Sequence, residues 1–269
     1  MAFAILSAVD AMVKTLSGDY VVFQLTAMRG LIACGVSLAI LFWRQEHAQL
    51  RSPFLKHHLL RGVLSFVAAS SFFFALSQMP IADLYVIAFT APFMVAAMSW
   101  PLLRERVAHG TWWAIGAGFI GVLIAFQPSG VTFGTAAAIG FLATFSYAIS
   151  NILMRWVGPT ENPLVTSIYG MGGGGALSLL VALPFWVMPS VGDAFMMVGV
   201  GLLAGLGSIA LAASFRFAPA AVISPIDYSS ILWGGFYGYL IFGDVPGVPT
   251  LVGATVIVAA GLWLVRQHR

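Results

Sequence analysis

Charge is what this chain has least of. Only 8% of its 269 residues are Asp, Glu, Lys or Arg, against about 25% in an ordinary soluble domain. That scarcity excludes a water-facing surface over most of the length. With 60% hydrophobic residues and a mean hydropathy of +0.97, the chain reads as an all-α polytopic membrane protein. Cysteine is limited to Cys34, inside an apolar run, so no internal disulfide forms and the redox compartment is not indicated. The five histidines (47, 57, 58, 109 and 268) fall in expected loops or at run ends, and no His-Glu-x-x-His pattern is present. Neither a metal centre nor a bound cofactor is expected. A net charge of +3 is too small to suggest nucleic acid. The first apolar run contains Asp10 and Lys14 and has no basic leader, so no cleavable signal peptide is expected.

What is abundant is long apolar sequence. A helix rises 1.5 Å per residue and needs about 20 residues to cross the hydrocarbon. Ten runs meet or approach that length: 2–17, 20–43, 59–78, 81–103, 109–126, 133–156, 163–187, 194–215, 219–242 and 248–265. The first is short, as expected for a truncated start or a helix at the edge of a bundle.

Lys and Arg are missing from alternate links. Arg44, Arg51, Lys56 and Arg61 flank the second link, Arg104 and Arg106 the fourth, Arg155 the sixth, Arg216 the eighth, and Arg266 and Arg269 the C-terminus. The intervening links carry Asp19, Asp193 and Asp244 and no cation. Short cytoplasmic links collect Lys and Arg, so both termini are expected in the cytoplasm of a bacterial-type inner (plasma) membrane.

The chain also repeats. Met79–Glu105 and Ala218–Asp244, 139 positions apart, each begin near a proline (Pro80, Pro219), run through apolar residues and end on an acid. An offset of 140 places Gly18 on Gly158, Thr26 on Thr166, Gly30 on Gly170 and Gly35 on Gly175. Five runs per half mean opposite insertion of the halves, an inverted repeat with boundaries at 1–128 and 129–269. Inverted repeats are the architecture of secondary carriers with a midplane site.

Leu76-Ser77-Gln78-Met79-Pro80-Ile81-Ala82, Ala91-Pro92-Phe93 and Leu102-Leu103-Arg104-Glu105-Arg106 resemble the first-half signature of the EamA family in the drug/metabolite transporter (DMT) superfamily. Ala218-Pro219-Ala220-Ala221, Pro225-Ile226-Asp227-Tyr228 and Gly238-Tyr239-Leu240-Ile241-Phe242-Gly243-Asp244 resemble its second half, with Asp244 in place of the usual Glu. The resemblance implies ten transmembrane helices in two inverted five-helix repeats. It further implies a central cavity lined by the first four helices of each half. Asp10-Ala11-Met12-Val13-Lys14 is similar to a subgroup with riboflavin and S-adenosylmethionine importers, the alternative to a carrier of amino acids or related zwitterionic or aromatic compounds.

Ionisable groups within apolar runs are the candidate site, because a charge at mid-membrane costs several kcal/mol unless it faces a partner or a cavity. Asp10 and Lys14 share a helix face in the favourable order for pairing with one another. Arg29, roughly 14 Å into the second run, offers a guanidinium for Asp10 or for a substrate carboxylate. Asp227 follows Pro225 by two residues; a kink beside an acid suits a cation or proton, while pairing with Lys14 or Arg29, or a local bond to Tyr228, is the structural reading. Tyr147, Ser150 and Asn151 place a phenol, a hydroxyl and an amide on the sixth run, and Tyr169 and Tyr228 add stacking surfaces. Pro92 gives the first half a kink of its own. Glu105 and Asp244 are expected as gate elements or structural anchors near the starts of following helices.

Glycines complete the pattern. Gly172–Gly175 allows a close neighbour or a bend, and with no Lys-Ser/Thr following it is no phosphate loop. Gly201 with Gly205, and Ala114 with Gly118 or Ala117 with Gly121, form small-residue faces, the second of which allows a homodimer. An intramembrane aspartyl hydrolase built on Asp10 and Asp227 is the remote alternative, and it lacks a Gly-x-Gly-Asp context. Proton or solute coupling is compatible with the same acids.

Overall fold

The computed structural model describes residues 1–78, 81–127, 134–243 and 247–267. Among them the chain is helical throughout, as it must be where backbone groups have no water to bond and no closed barrel is formed. The helices are α1 (Ala2–Leu16), α2 (Val22–Trp43), α3 (Leu55–Gln78), α4 (Ile81–Ala88), α5 (Ala91–Leu103), α6 (His109–Phe126), α7 (Thr135–Val157), α8 (Pro163–Ala182), α9 (Val191–Phe217), α10 (Ala220–Ile223), α11 (Ser230–Tyr237) and α12 (Val248–Gln267). They occupy the ten expected runs. Seven spans among the described residues are long and apolar enough to cross a membrane, one of them, Leu84–Leu103, bridging α4 and α5. The remaining three runs are the 15-residue α1, the broken ninth run, and α12 with its apolar stretch Val248–Trp263.

Two runs expected as single helices are interrupted. The fourth breaks at Phe89–Thr90, where α5 restarts with Pro92 in its first turn, a position that needs no amide. The ninth passes from α10 through a 3₁₀ segment, Ser224–Ser229, into α11 and then into a π-helical turn, Gly238–Phe242. Pro225 stands in the first turn of the 3₁₀ segment, so its missing amide shifts the bonding pattern rather than simply bending a helix. The eighth run is longer than expected, and the seventh ends its α-helix at Ala182 before a short 3₁₀ turn, Leu183–Phe185.

The chain forms two compact units, and neither follows a sequence half: unit 1 is Met1–Val67 with Leu153–Phe217, and unit 2 is Ala68–Ile152 with Ala218–Arg269. Helices α3 and α7 therefore each contribute to both. Unit 1 is built on the packing of α2 against α8 and α9, with α1 on α9. Its close approach is made by the glycine run, which stays helical. A Cβ on Gly175 would lie 2.9 Å from the Leu31 amide nitrogen, one on Gly173 would lie 3.0 Å from Gly62 Cα, and one on Gly172 would meet Cys34 Sγ at 2.8 Å. Gly201 and Gly205 take Ile32 and Ala33 in the same way. Buried hydroxyls tie the three helices, Ser37 donating to Ser167 at 3.0 Å and Ser167 bonding Ser208. At one end, Tyr20 donates to Asp193 at 2.8 Å, a bond that pushes its phenol pKa up.

Unit 2 packs α6 on α12. Its core holds Val86, Phe89, Val122, Tyr228, Ile231 and Ile257. Gly118 lies against the Tyr228 ring and Gly121 against Gly253 and Ile257. The small-residue face expected to support a homodimer is thus occupied within the unit at these two glycines.

Candidate functional site

The acids and cations predicted from the sequence fall into two separate constellations, one in each unit. In unit 1, Arg29 on α2 faces Asp10 on α1, with Nη1 4.0 Å from Oδ1. This is a single long ion pair, not the two-pronged clasp that a guanidinium can make. Asp10 remains 69% uncovered and Arg29 31%. Both charges are therefore open to another group. Lys14 is on the exposed side of α1. Tyr169 is differently engaged: its hydroxyl donates to the Leu50 carbonyl at 2.8 Å and its ring stacks on His58 at 5.0 Å.

In unit 2, the Tyr147 hydroxyl of α7 donates to Asp227 Oδ2 at 3.1 Å. Ser230, just after the 3₁₀ segment, bonds the Asp227 carbonyl at 2.6 Å. The irregular backbone thus presents a half-buried carboxylate held by a phenol. Ser150 and Asn151 are buried on α7. Tyr228 does not offer a free stacking face: it is 2% exposed, and its hydroxyl donates to the Phe89 carbonyl at 3.1 Å. The Glu105 carboxylate receives the Ala220 amide at 3.4 Å, at the start of α10. Its counterpart Asp244 lies outside the described residues.

One polar cluster was not foreseen from the sequence. His58, fully buried on α3, contacts Glu161 Oε2 through Nε2 at 3.1 Å. Ser52 also bonds Glu161. Next to them Asn162 caps α8 through the Leu164 amide at 2.9 Å and reaches Glu46 at 2.7 Å and Gln49 at 2.8 Å. Arg61, expected among the link cations, is buried and donates to the Thr166 carbonyl at 3.0 Å. The available signal was its position, six residues inside α3 and one turn from His58. No group of three or more His, Cys, Asp or Glu suited to a metal occurs among the described residues.

The profile of the EamA-like transporter family matches residues 1–127 and again 134–266. The chain belongs to that family. Its EamA relatives are carriers by name, which makes this chain a membrane transporter and not an enzyme. A pseudopaline exporter of Pseudomonas aeruginosa is 25% identical over 269 residues, covering 98% of this chain and 93% of the relative. An S-adenosylmethionine uptake transporter of Rickettsia felis is 26% identical, covering 98% and 89%. A riboflavin transporter of Vibrio cholerae is 28% identical, covering 78% and 71%. A crystal structure superposes with a TM-score of 0.84 at 18% identity, covering 100% of this chain and 95% of that one, a likeness of fold.

Proposed function

We propose that this EamA-family protein is an inner-membrane secondary carrier for small zwitterionic or aromatic metabolites, working by alternating access between two inverted halves, 1–128 and 129–269. Both termini face the cytoplasm in this reading, which the one-sided distribution of Lys and Arg supports. The observation that carries it is the loosely held Asp10–Arg29 pair inside apolar helices. A pair kept only for structure gains most when short and fully hydrogen-bonded; this one leaves donors and acceptors for a solute.

Arg29 binds the anionic group of the solute, and Asp10 or Asp227 contacts its cationic group or exchanges a proton. Tyr147 tunes Asp227 through their hydrogen bond. Lys14, Ser150 and Asn151 supply further polar contacts. Pro92 and Pro225, with Glu105 and Asp244, set the breaks and anchors that let the helices move. An S-adenosylmethionine-like solute, with an amino-acid head and a planar base, fits this set and is the second reading, alongside riboflavin; the names of the relatives carry it. These relatives include an exporter and importers, so direction is left to measurement.

Counterflow of labelled amino acids, S-adenosylmethionine and riboflavin into liposomes holding the purified protein tests the reading. Saturable exchange that Arg29→Ala or Asp227→Asn reduces at least tenfold supports it. Unchanged exchange in both variants removes these residues from the site, and unsaturable current removes the carrier.

A further inference from the structure

The α5–α6 corner of unit 2 gathers two arginines and two tryptophans around open space. Two adjoining, open-sided clefts of about 410 and 430 Å³ share Trp100 and Arg106. The first is walled by Ala96, Ala97, Trp112 and Val107, and the second adds Pro101 and Arg104. The corner joins two membrane-length segments, Leu84–Leu103 and His109–Phe126, so it lies at a bilayer surface.

Local chemistry explains both the space and its preference. Pro101, inside the last turns of α5, has no amide to give the Ala97 carbonyl and crowds it sterically. The carbonyl of a cavity-lining residue is thereby left able to accept a hydroxyl. Arg104 ends α5 in the left-handed region, φ 56° and ψ 23°, and the chain turns so that Arg106 lines the same cavities. Both arginines are exposed, and neither guanidinium has an ion-pair or hydrogen-bond partner among the described residues. Trp100 is 64% uncovered and Trp112 38%, as in the aromatic belt where rings meet headgroups. Two open guanidinium forks suit phosphate oxygens.

We infer that this corner binds the phosphodiester headgroup of an anionic phospholipid, of the glycerol-bearing kind, with its acyl chains along the apolar wall. Arg104 and Arg106 hold the phosphate, the Ala97 carbonyl accepts a headgroup hydroxyl, and Trp100 and Trp112 flank it. The leaflet follows from the orientation proposed above; the site itself does not.

The test uses the full chain in a neutral detergent, titrated with phosphatidylglycerol, with phosphatidylcholine, or with sodium phosphate. Melting temperature and native mass spectrometry are the readouts. Saturable stabilisation by phosphatidylglycerol is expected, with an apparent Kd at least tenfold weaker in the Arg104→Gln/Arg106→Gln double variant. Equal stabilisation by phosphatidylcholine, or an unchanged Kd in the double variant, overturns the site. A matching shift from sodium phosphate overturns the lipid in favour of a soluble anion. Should the double variant not fold, the wild-type protein decides alone: preferential retention of phosphatidylglycerol in the mass spectrometer supports the site, and equal retention of the two lipids overturns it.

Discussion

Tyr228 and Phe89 are 139 positions apart and in contact: the Tyr228 hydroxyl donates to the Phe89 carbonyl at 3.1 Å, and their rings meet edge to face at 5.7 Å. The same offset relates Met79–Glu105 to Ala218–Asp244. The contact thus joins two positions related by the offset of the sequence repeat, inside unit 2. It also joins the two interrupted runs at their interruptions, Phe89–Thr90 and Ser224–Ser229.

Removing that bond tests its weight. Tyr228→Phe keeps the ring and deletes the hydroxyl, leaving a buried carbonyl, and is expected to cost about 1 kcal/mol. Gly118→Ala puts a Cβ 2.5 Å from the same ring and is expected to cost more. Fluorescence-detected melting in detergent reads both, and a Gly118→Ala protein as stable as wild type would contradict the packing.

Glycine substitutions in unit 1 give an internal control. At Gly175 the added Cβ meets backbone of α2 at 2.9 Å, so Gly175→Ala is expected to lose about 1–3 kcal/mol. Gly35, on the same helix pair, has nothing within 4 Å, and Gly35→Ala is expected to leave melting unchanged or slightly raised. Equal effects at the two positions would mean that α2 and α8 do not pack as described.

The buried His58–Glu161 contact predicts a coupled loss. His58→Ala removes one of the hydrogen-bond partners of the Glu161 carboxylate, Ser52 and the Asn162 amide remaining, and is expected to destabilise by about 1–3 kcal/mol, with Glu161→Gln milder because an amide retains hydrogen bonds. In the double variant the combined loss falls well below the sum. Additive losses would separate the two residues.

At the proposed transport site the expected signature is functional. Asp10→Asn and Arg29→Lys keep polarity at an open, 4.0 Å pair and are expected to melt within about 0.5 kcal/mol of wild type. Their apparent affinity for solute is expected to fall at least tenfold in counterflow. Tyr147→Phe removes a donor from Asp227 and is expected to weaken the apparent affinity for solute in counterflow while leaving the fold intact. An affinity identical to wild type would remove the Tyr147–Asp227 bond from the site.

The helical runs were legible because the bilayer imposes one rule on every span: some twenty apolar residues with all backbone groups bonded internally. Arg29 and Asp10 were legible as charges needing partners for the same reason, while the choice of Arg29 over Lys14 as the neighbour of Asp10 belongs to the fold. The breaks were less so. Pro92 and Pro225 marked their neighbourhoods, yet whether a proline bends a helix, restarts it or converts it to 3₁₀ depends on which neighbours receive the freed carbonyls. Tyr228 looked like a stacking face until the Phe89 carbonyl and Gly118 gave it a place in the core.

Composition and spacing act locally along the chain, and they were enough to make this a helical membrane protein of ten runs; the family motifs made it a transporter. The pairings belong to the folded chain. Folding set Glu161 against His58, Glu105 against the Ala220 amide, and four consecutive glycines against α2 and α3. Each contact joins segments far apart in sequence, where hydrophobic periodicity carries no information about the partner. In apolar surroundings, shape and the few polar groups left to satisfy make that choice.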